Sequence, residues 1–233
     1  MNTFIITRRE VAAFLASPSY YIIWATYLFV TGLVFFFTVA LHSYATLSQV
    51  IYSTGFLFLI IVPLLSSRLL ARDAHAGNLE LLLTTPVRDW EIVAGKFLAA
   101  FFLLNIMLIS TLVYLLLLIS FGHPDLGVAL AGYMGVLLLG IALISLGMLA
   151  SALSTHLIIA AMLSIAFSLF FWLIGNFAMA VQGNLSYIFT YLSIYHRFTD
   201  FTVGLVTINN LTYFLSITTI ALFLTIRVIQ LRR

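Results

Sequence analysis

The stretch RLLARDAHAGNLELLLTTPVRDWEIVAGK, Arg68 to Lys96, decides how this chain is read. It lies between two long apolar runs and is too short and too charged to cross a bilayer, so it is either a solvated connector or an element that docks a partner at the membrane surface. Two helix starts are legible inside it. Asn78 can cap a short helix that carries Leu79, Leu82 and Leu83 on one face and Glu80 in its first turn, and Pro86 stops it. Asp89 can cap the following span, with Glu91 in its first turn. Periodicity leaves open whether the leucine face rests on lipid or meets a soluble protein.

Outward from this stretch the chain is apolar. Its 233 residues are 64% hydrophobic and 7% charged, where soluble domains carry about 25% charged residues; the mean hydropathy is +1.19. A membrane helix needs roughly 20 apolar residues, which places spans at Tyr20 to Leu41, Val50 to Leu70, Phe97 to Ser120, Val128 to Leu153, Leu157 to Val181 and Leu211 to Ile226. The expectation is an all-α integral membrane protein forming a single transmembrane domain over residues 1–233. Arg8 and Arg9 precede an apolar run without a small-residue cleavage pattern, so an uncleaved first helix is expected.

Six spans return both ends to one side. Nine of the ten Lys and Arg residues then share that side, with Arg197 opposite, and the positive-inside rule makes the crowded side cytoplasmic. Basic residues at segment ends answer to topology, which argues against nucleic-acid binding. Three segments stand apart from the spans. Residues 1–19 place Phe4, Val11 and Leu15 at helical spacing, as an interfacial elbow helix or a solvated tail. Residues 71–96 are the cytoplasmic segment. Residues 182–210, outside, hold one stripe of Leu185, Ile188, Leu192 and Tyr195 and another of Phe198, Phe201 and Leu205, which is the pattern of one or two short helices that cap a pathway or rest on headgroups.

Chemistry in this chain is excluded on several counts. Cysteine is absent, the five histidines have no partners at metal-ligand spacing, and neither a His-Glu-x-x-His motif nor a Gly-x-Ser-x-Gly elbow occurs. Lys96 follows Gly95 but precedes Phe97, with Trp90 where a phosphate loop needs its first glycine, so no nucleotide is bound that way. No span so drawn has Asp, Glu, Lys, Arg or His in its interior, which disfavours an ion-coupled transporter. Intramembrane polarity comes from Asn105, Asn176, Ser145, Ser164 and Ser168, with Pro63 marking a kink. Gly132, Gly135, Gly140 and Gly147 in the fourth span read first as packing positions and second as a pathway lining.

Gly77 to Val87, followed by Trp90-Glu91-Ile92-Val93-x-Gly95-Lys96-Phe97, resembles the signature of ABC type-2 transporter permeases, closest to the gliding-motility-associated and nitrous-oxide-reductase-maturation branch. Arg8-Arg9-Glu10, Ser17-Pro18, Tyr187 to Gly204 and Leu224-Thr225-x-Arg227-Val228 support it. The resemblance implies a six-helix subunit of the bacterial-type inner membrane, both termini cytoplasmic, paired with a second permease copy or paralogue and docked on a cytoplasmic ATPase that binds ATP and Mg. This chain would hold no cofactor. It also implies a coupling helix at Asn78 to Thr85, with the ATPase contact spread over Arg72, His75, Asn78, Leu79, Glu80, Leu82, Leu83, Thr84, Thr85, Pro86 and Arg88, and a second contact at His156. Where family members often carry an acidic pair, this chain has Arg72-Asp73.

Two functions follow as expectations. One is the membrane half of an ATP-driven exporter of apolar or amphipathic cargo. The other is a non-transporting anchor that passes ATP-driven motion to an auxiliary protein outside. Membrane lipid is a partner in both.

Overall fold

The computed structural model describes residues 2–42, 47–75, 88–122, 124–177 and 184–231. Among them the chain forms α1 (Asn2–Leu15), α2 (Pro18–His42), α3 (Ser48–Ser66), α4 (Arg68–His75), α5 (Asp89–Ser110), α6 (Leu112–Phe121), α7 (Leu126–Leu153), α8 (Leu157–Phe177), α9 (Asn184–Leu192), α10 (Ile194–Thr202) and α11 (Ile208–Leu231). Six stretches are long and apolar enough to cross a membrane, with α3 and α4 sharing the second and α5 and α6 the third. The all-α membrane fold with six spans is therefore the observed one. The end of the bundle carrying Arg8, Arg9, Arg68 and Arg72 is called the basic end below, and the end carrying α9 and α10 the far end.

Several boundaries differ from those drawn on hydropathy. The second span continues to Asp73 and the third begins at Asp89 rather than Phe97. Charged residues terminated the apolar windows, yet they stay helical because neighbouring helices supply partners for them. What read as a connector over residues 71–96 thus includes the end of α4 and the first two turns of α5. The cap of α5 is Arg88, one residue before Asp89; the Glu91 carboxylate, three residues on, accepts from the Arg88 amide at 3.0 Å. The last span begins at Ile208 and runs to Leu231, longer than its apolar centre.

The fourth span, α7, is the axis of the bundle. It is 78% buried, against 11% for the first span. Its small residues let different neighbours approach: Gly140 meets Leu104 of α5, Gly135 meets Phe201 of α10, and Gly147 meets Ser66 of α3, with no room for a side chain at any of them. The close α3–α7 approach matters because Pro63 deprives the Leu59 carbonyl of its helical donor. Ser168 of α8 replaces it, its hydroxyl donating to Leu59 O at 3.1 Å. Just beyond, Ser151 of α7 bridges the α3–α4 junction: its Oγ accepts from the Leu70 and Ala71 amides at 3.1 and 2.8 Å and donates to Ser67 O at 2.6 Å. A kinked helix in lipid persists only where its freed backbone groups find such partners.

The third span breaks at Thr111, whose carbonyl accepts from the Tyr133 hydroxyl at 2.9 Å. The first span lies along it through polar contacts that include Tyr20 to Leu103 O, Trp24 to Ser110 Oγ and Tyr114 to Leu28 O, at 3.2, 3.1 and 3.0 Å. At the far end the two short helices expected from the stripes are present, but they differ in seating. Ile194, Phe198 and Phe201 of α10 are fully buried, wedged between spans against Gly55 and Gly135, whereas Tyr187, Ile188 and Tyr191 of α9 are exposed. Gly204, with φ of +87°, ends α10 and turns the chain back toward α11; Leu205, placed on the α10 stripe by periodicity, is exposed.

Gly147→Val would force a branched side chain against Ser66. It is expected to destabilise the protein by about 1–3 kcal/mol, read as a lowered melting temperature in detergent; an unchanged transition would contradict the α3–α7 contact.

Candidate functional site

The segment between α4 and α5 carries the sequence signature, and the structure shows how its two flanks are held. Lys96 lies in α5 with its side chain 1% exposed. Its ammonium sits 2.5 Å from Asp73 Oδ2, at the end of α4, and 2.8 Å from Glu10 Oε1, on α1. The two carboxylates are 12% and 13% exposed, respectively. Three elements thus meet on one buried cation, and Asp73 and Lys96 stand on opposite sides of residues 76–87. This corrects the expectation that charge stays outside the spans: the third span, expected from Phe97, starts at Asp89 and so includes the buried Lys96. A buried charge is tolerated only when paired, and Lys96 is paired twice.

Local sequence explains why α1 reaches this point. Gly95 precedes Lys96, and its missing side chain leaves space that Ile6 and Thr3 of α1 occupy at about 3 Å from where a Cβ would stand. Thr7 Oγ1 then donates to the Gly95 carbonyl at 3.0 Å. One turn further along α1, Glu10 faces Lys96. The signal was present in the sequence: Ile92-Val93-Ala94-Gly95-Lys96-Phe97-Leu98 is apolar on both sides of the chain's one lysine, so a helix running through it must bury the charge and supply an anion.

The other residues singled out from sequence fall in several places. Asn78, Leu79, Glu80, Leu82, Leu83, Thr84, Thr85 and Pro86 lie outside the described residues. His75 ends α4 and Arg88 caps α5, so both flank that segment. Arg72 is exposed on α4 and lines a cavity against α8 together with Arg68. His156 belongs to the short turn between α7 and α8, where its amide donates to Ser154 Oγ at 3.1 Å. Asn105 donates to the Phe101 carbonyl of its own helix at 2.8 Å, and Asn176 is exposed near the far end of α8.

A second polar group occupies the far end. Arg197 donates to Asn210 Oδ1 at 2.9 Å, Asn210 donates to Asp200 Oδ2 at 2.8 Å, and the guanidinium stacks 4.7 Å from the Tyr191 ring and 5.6 Å from the Tyr213 ring. The Tyr213 hydroxyl donates to the Leu192 carbonyl. These bonds tie α9 and α10 to α11, so the segment between the last two spans is fastened rather than loosely laid on the bundle. Among the described residues no group of three or more His, Cys, Asp or Glu is placed to hold a metal ion.

Replacing Lys96 with Met would leave two carboxylates facing each other without a cation, and a loss of about 3–5 kcal/mol is expected. Glu10→Gln is expected to cost less, because Asp73 keeps its partner. Thermal unfolding in detergent checks the order; equal losses in the two variants, or none in Lys96→Met, would contradict the assignment.

No curated protein matches the chain. The family described as ABC-2 family transporter protein matches residues 31–231, from within the first span to the end of the last helix, and so takes in the second to sixth spans, the Asp73 and Lys96 flanks and the far-end helices. With most of its length inside that match, the six-span chain belongs to the ABC-2 transporter family.

Proposed function

We propose that this chain is the transmembrane subunit of an ATP-driven exporter, and that a separate cytoplasmic ATPase docks at the basic end, on Asn78 to Thr85. The observation that carries this is the Lys96 cluster. Asp73 and Lys96 clamp both flanks of residues 76–87 to one another and to α1, so displacement of that segment passes into the second and third spans together instead of being absorbed by a loose loop. His75, Arg88 and the His156 turn extend the docking surface, with Arg72 at its edge. Membership of the ABC-2 family supports an ATPase partner and a permease assembled from more than one chain. ATP and Mg then belong to the ATPase, and this chain supplies no catalytic group.

The basic end is assigned to the cytoplasm, in the manner of a bacterial inner-membrane protein, because nine of the ten Lys and Arg residues fall there when six spans are threaded. The first, fifth and sixth spans are only 11%, 28% and 28% buried, leaving apolar surface for lipid and for a second copy or a paralogue. The motif from Gly77 to Phe97 is the basis for placing the chain in the gliding-motility-associated or nitrous-oxide-reductase-maturation branch. Amphipathic or apolar cargo fits spans whose middles carry hydroxyls and amides rather than charges.

One observation favours the second reading, a force-transmitting anchor. Tyr187, Ile188 and Tyr191 present an exposed apolar and aromatic surface on α9, which suits an auxiliary protein outside.

Glu80→Arg combined with Leu82→Asp is expected to leave the protein inserted and to abolish copurification of its ATPase; copurification at the wild-type level would overturn the docking assignment. For sidedness, Asp200→Cys should react with an impermeant thiol reagent applied from outside and His75→Cys should not. Reversed labelling would invert the orientation. In reconstituted vesicles the exporter moves a lipid or small molecule on ATP addition, while ATP hydrolysis without any such movement would favour the anchor.

A further inference from the structure

A cavity of about 490 Å³ opens at the basic end between the second and fifth spans. Its polar side holds Arg68 and Arg72, one turn apart on α4, together with Ser17 and Ser19 at the start of α2. Its apolar side is α8, where Ile158 and Met162 are 76% and 67% exposed. Neither arginine pairs with a carboxylate among the described residues, in contrast to Lys96, whose two ion pairs lie nearby on the other face of α4. The Ser17 and Ser19 hydroxyls likewise have no hydrogen-bond partner among the described residues, whereas the Ser67 hydroxyl at the same cavity already donates to Leu64 O at 2.9 Å.

The backbone adds to this charge. Ser17 and Ser19 bracket the first turn of α2, and Leu157 and Ile158, which also line the cavity, form the first turn of α8. Two helix N-termini therefore open on the same space, each with a partial positive charge; at α2 Pro18 has no N–H and the Tyr20 amide already donates to Ser17 O at 3.1 Å, so the Ser19 amide is what that helix offers. Two guanidinium groups and two hydroxyls without partners among the described residues, together with two helix N-termini, all call for an anion with several oxygens, and a phosphate fits the arginine fork. The exposed aliphatic wall beside them, on a span whose outer surface faces lipid, suits an anion that carries an apolar part.

We infer that this cavity binds the phosphate of an anionic phospholipid from the leaflet at the basic end, with the headgroup on Arg68 and Arg72 and an acyl chain along Ile158 and Met162. Topology alone accounts for basic residues at this end but not for their convergence with hydroxyls and helix starts beside an apolar wall. Arg72, at the edge of the proposed docking surface, then faces the lipid. The inference does not rest on ATPase docking, since it concerns the chain by itself.

Native mass spectrometry of the purified full chain in nonionic detergent tests it, with phosphatidylglycerol, phosphatidylcholine of the same acyl chains, and glycerol phosphate as probes. Phosphatidylglycerol should bind at least about tenfold more tightly than phosphatidylcholine, the scale of a charge-assisted hydrogen bond. The double variant Arg68→Gln, Arg72→Gln should erase that preference at an unchanged melting temperature, and Arg68→Lys, Arg72→Lys should retain part of it. Arg8→Gln with Arg9→Gln, at exposed positions on α1, should leave it intact. Persistence of the preference in the Arg68 and Arg72 glutamine variant, or its loss in the Arg8 and Arg9 variant, would overturn the site. Displacement of phosphatidylglycerol by an equal concentration of glycerol phosphate would assign the cavity to a soluble phosphoester and overturn the lipid assignment.

Discussion

The Lys96 ammonium, buried between the carboxylates of Asp73 and Glu10, is the contact on which the basic end of the bundle depends. Removing an ion from water costs several kcal/mol even after relaxation, so the cluster persists only if its geometry is held from all sides. That requirement fixes three things together: the helical continuation of the second span to Asp73, the early start of the third span at Asp89, and the seating of α1 against Gly95. A hydrophobic replacement would satisfy burial, but it would not register α1, α4 and α5 against one another. The value of the charge lies in that register.

The rest of the bundle obeys a related constraint, that no backbone group in lipid goes without a partner. Pro63 breaks the second span's hydrogen bonding, and side chains from two other spans repair it, Ser168 at the Leu59 carbonyl and Ser151 at the following junction. Both repairs need the helices close, and at the α3–α7 contact, where Ser151 acts, Gly147 supplies the closeness. A bend that is repaired by neighbouring helices moves only with those helices. The second, fourth and fifth spans are therefore joined mechanically just below the segment that carries the family signature.

Much of this was legible in the sequence, and the parts that were not have identifiable causes. Six spans, the crowding of basic residues at one end and two short helices near the far end followed from composition and period, because those signals are local. The boundaries did not, since a hydropathy window stops at Lys96 and Asp73 without knowing that each is the other's partner. Glu10 is 86 residues from Lys96 in the chain, and nothing local pairs them. The glycines of the fourth span announced close packing, yet which neighbour fills each gap, Leu104, Phe201 or Ser66, is decided by tertiary arrangement. Asn105 and Asn176 illustrate the opposite case: polar residues that drew notice in the sequence bond to their own helix or sit exposed. The motif from Gly77 to Val87 carried the family resemblance, and the match over residues 31–231 shows the family.

Conformational work delivered to residues 76–87 would enter the second and third spans at Asp73 and Lys96 together. Pulsed electron paramagnetic resonance between spin labels at Arg72→Cys and Trp90→Cys, on the two flanks of residues 76–87, measures that link directly. A narrow distance distribution that broadens when Lys96 is also replaced by Met is the expected result. A distribution of the same width with and without the Lys96 ammonium would show that the cluster does not hold the flanks together, and the account would fail at its centre.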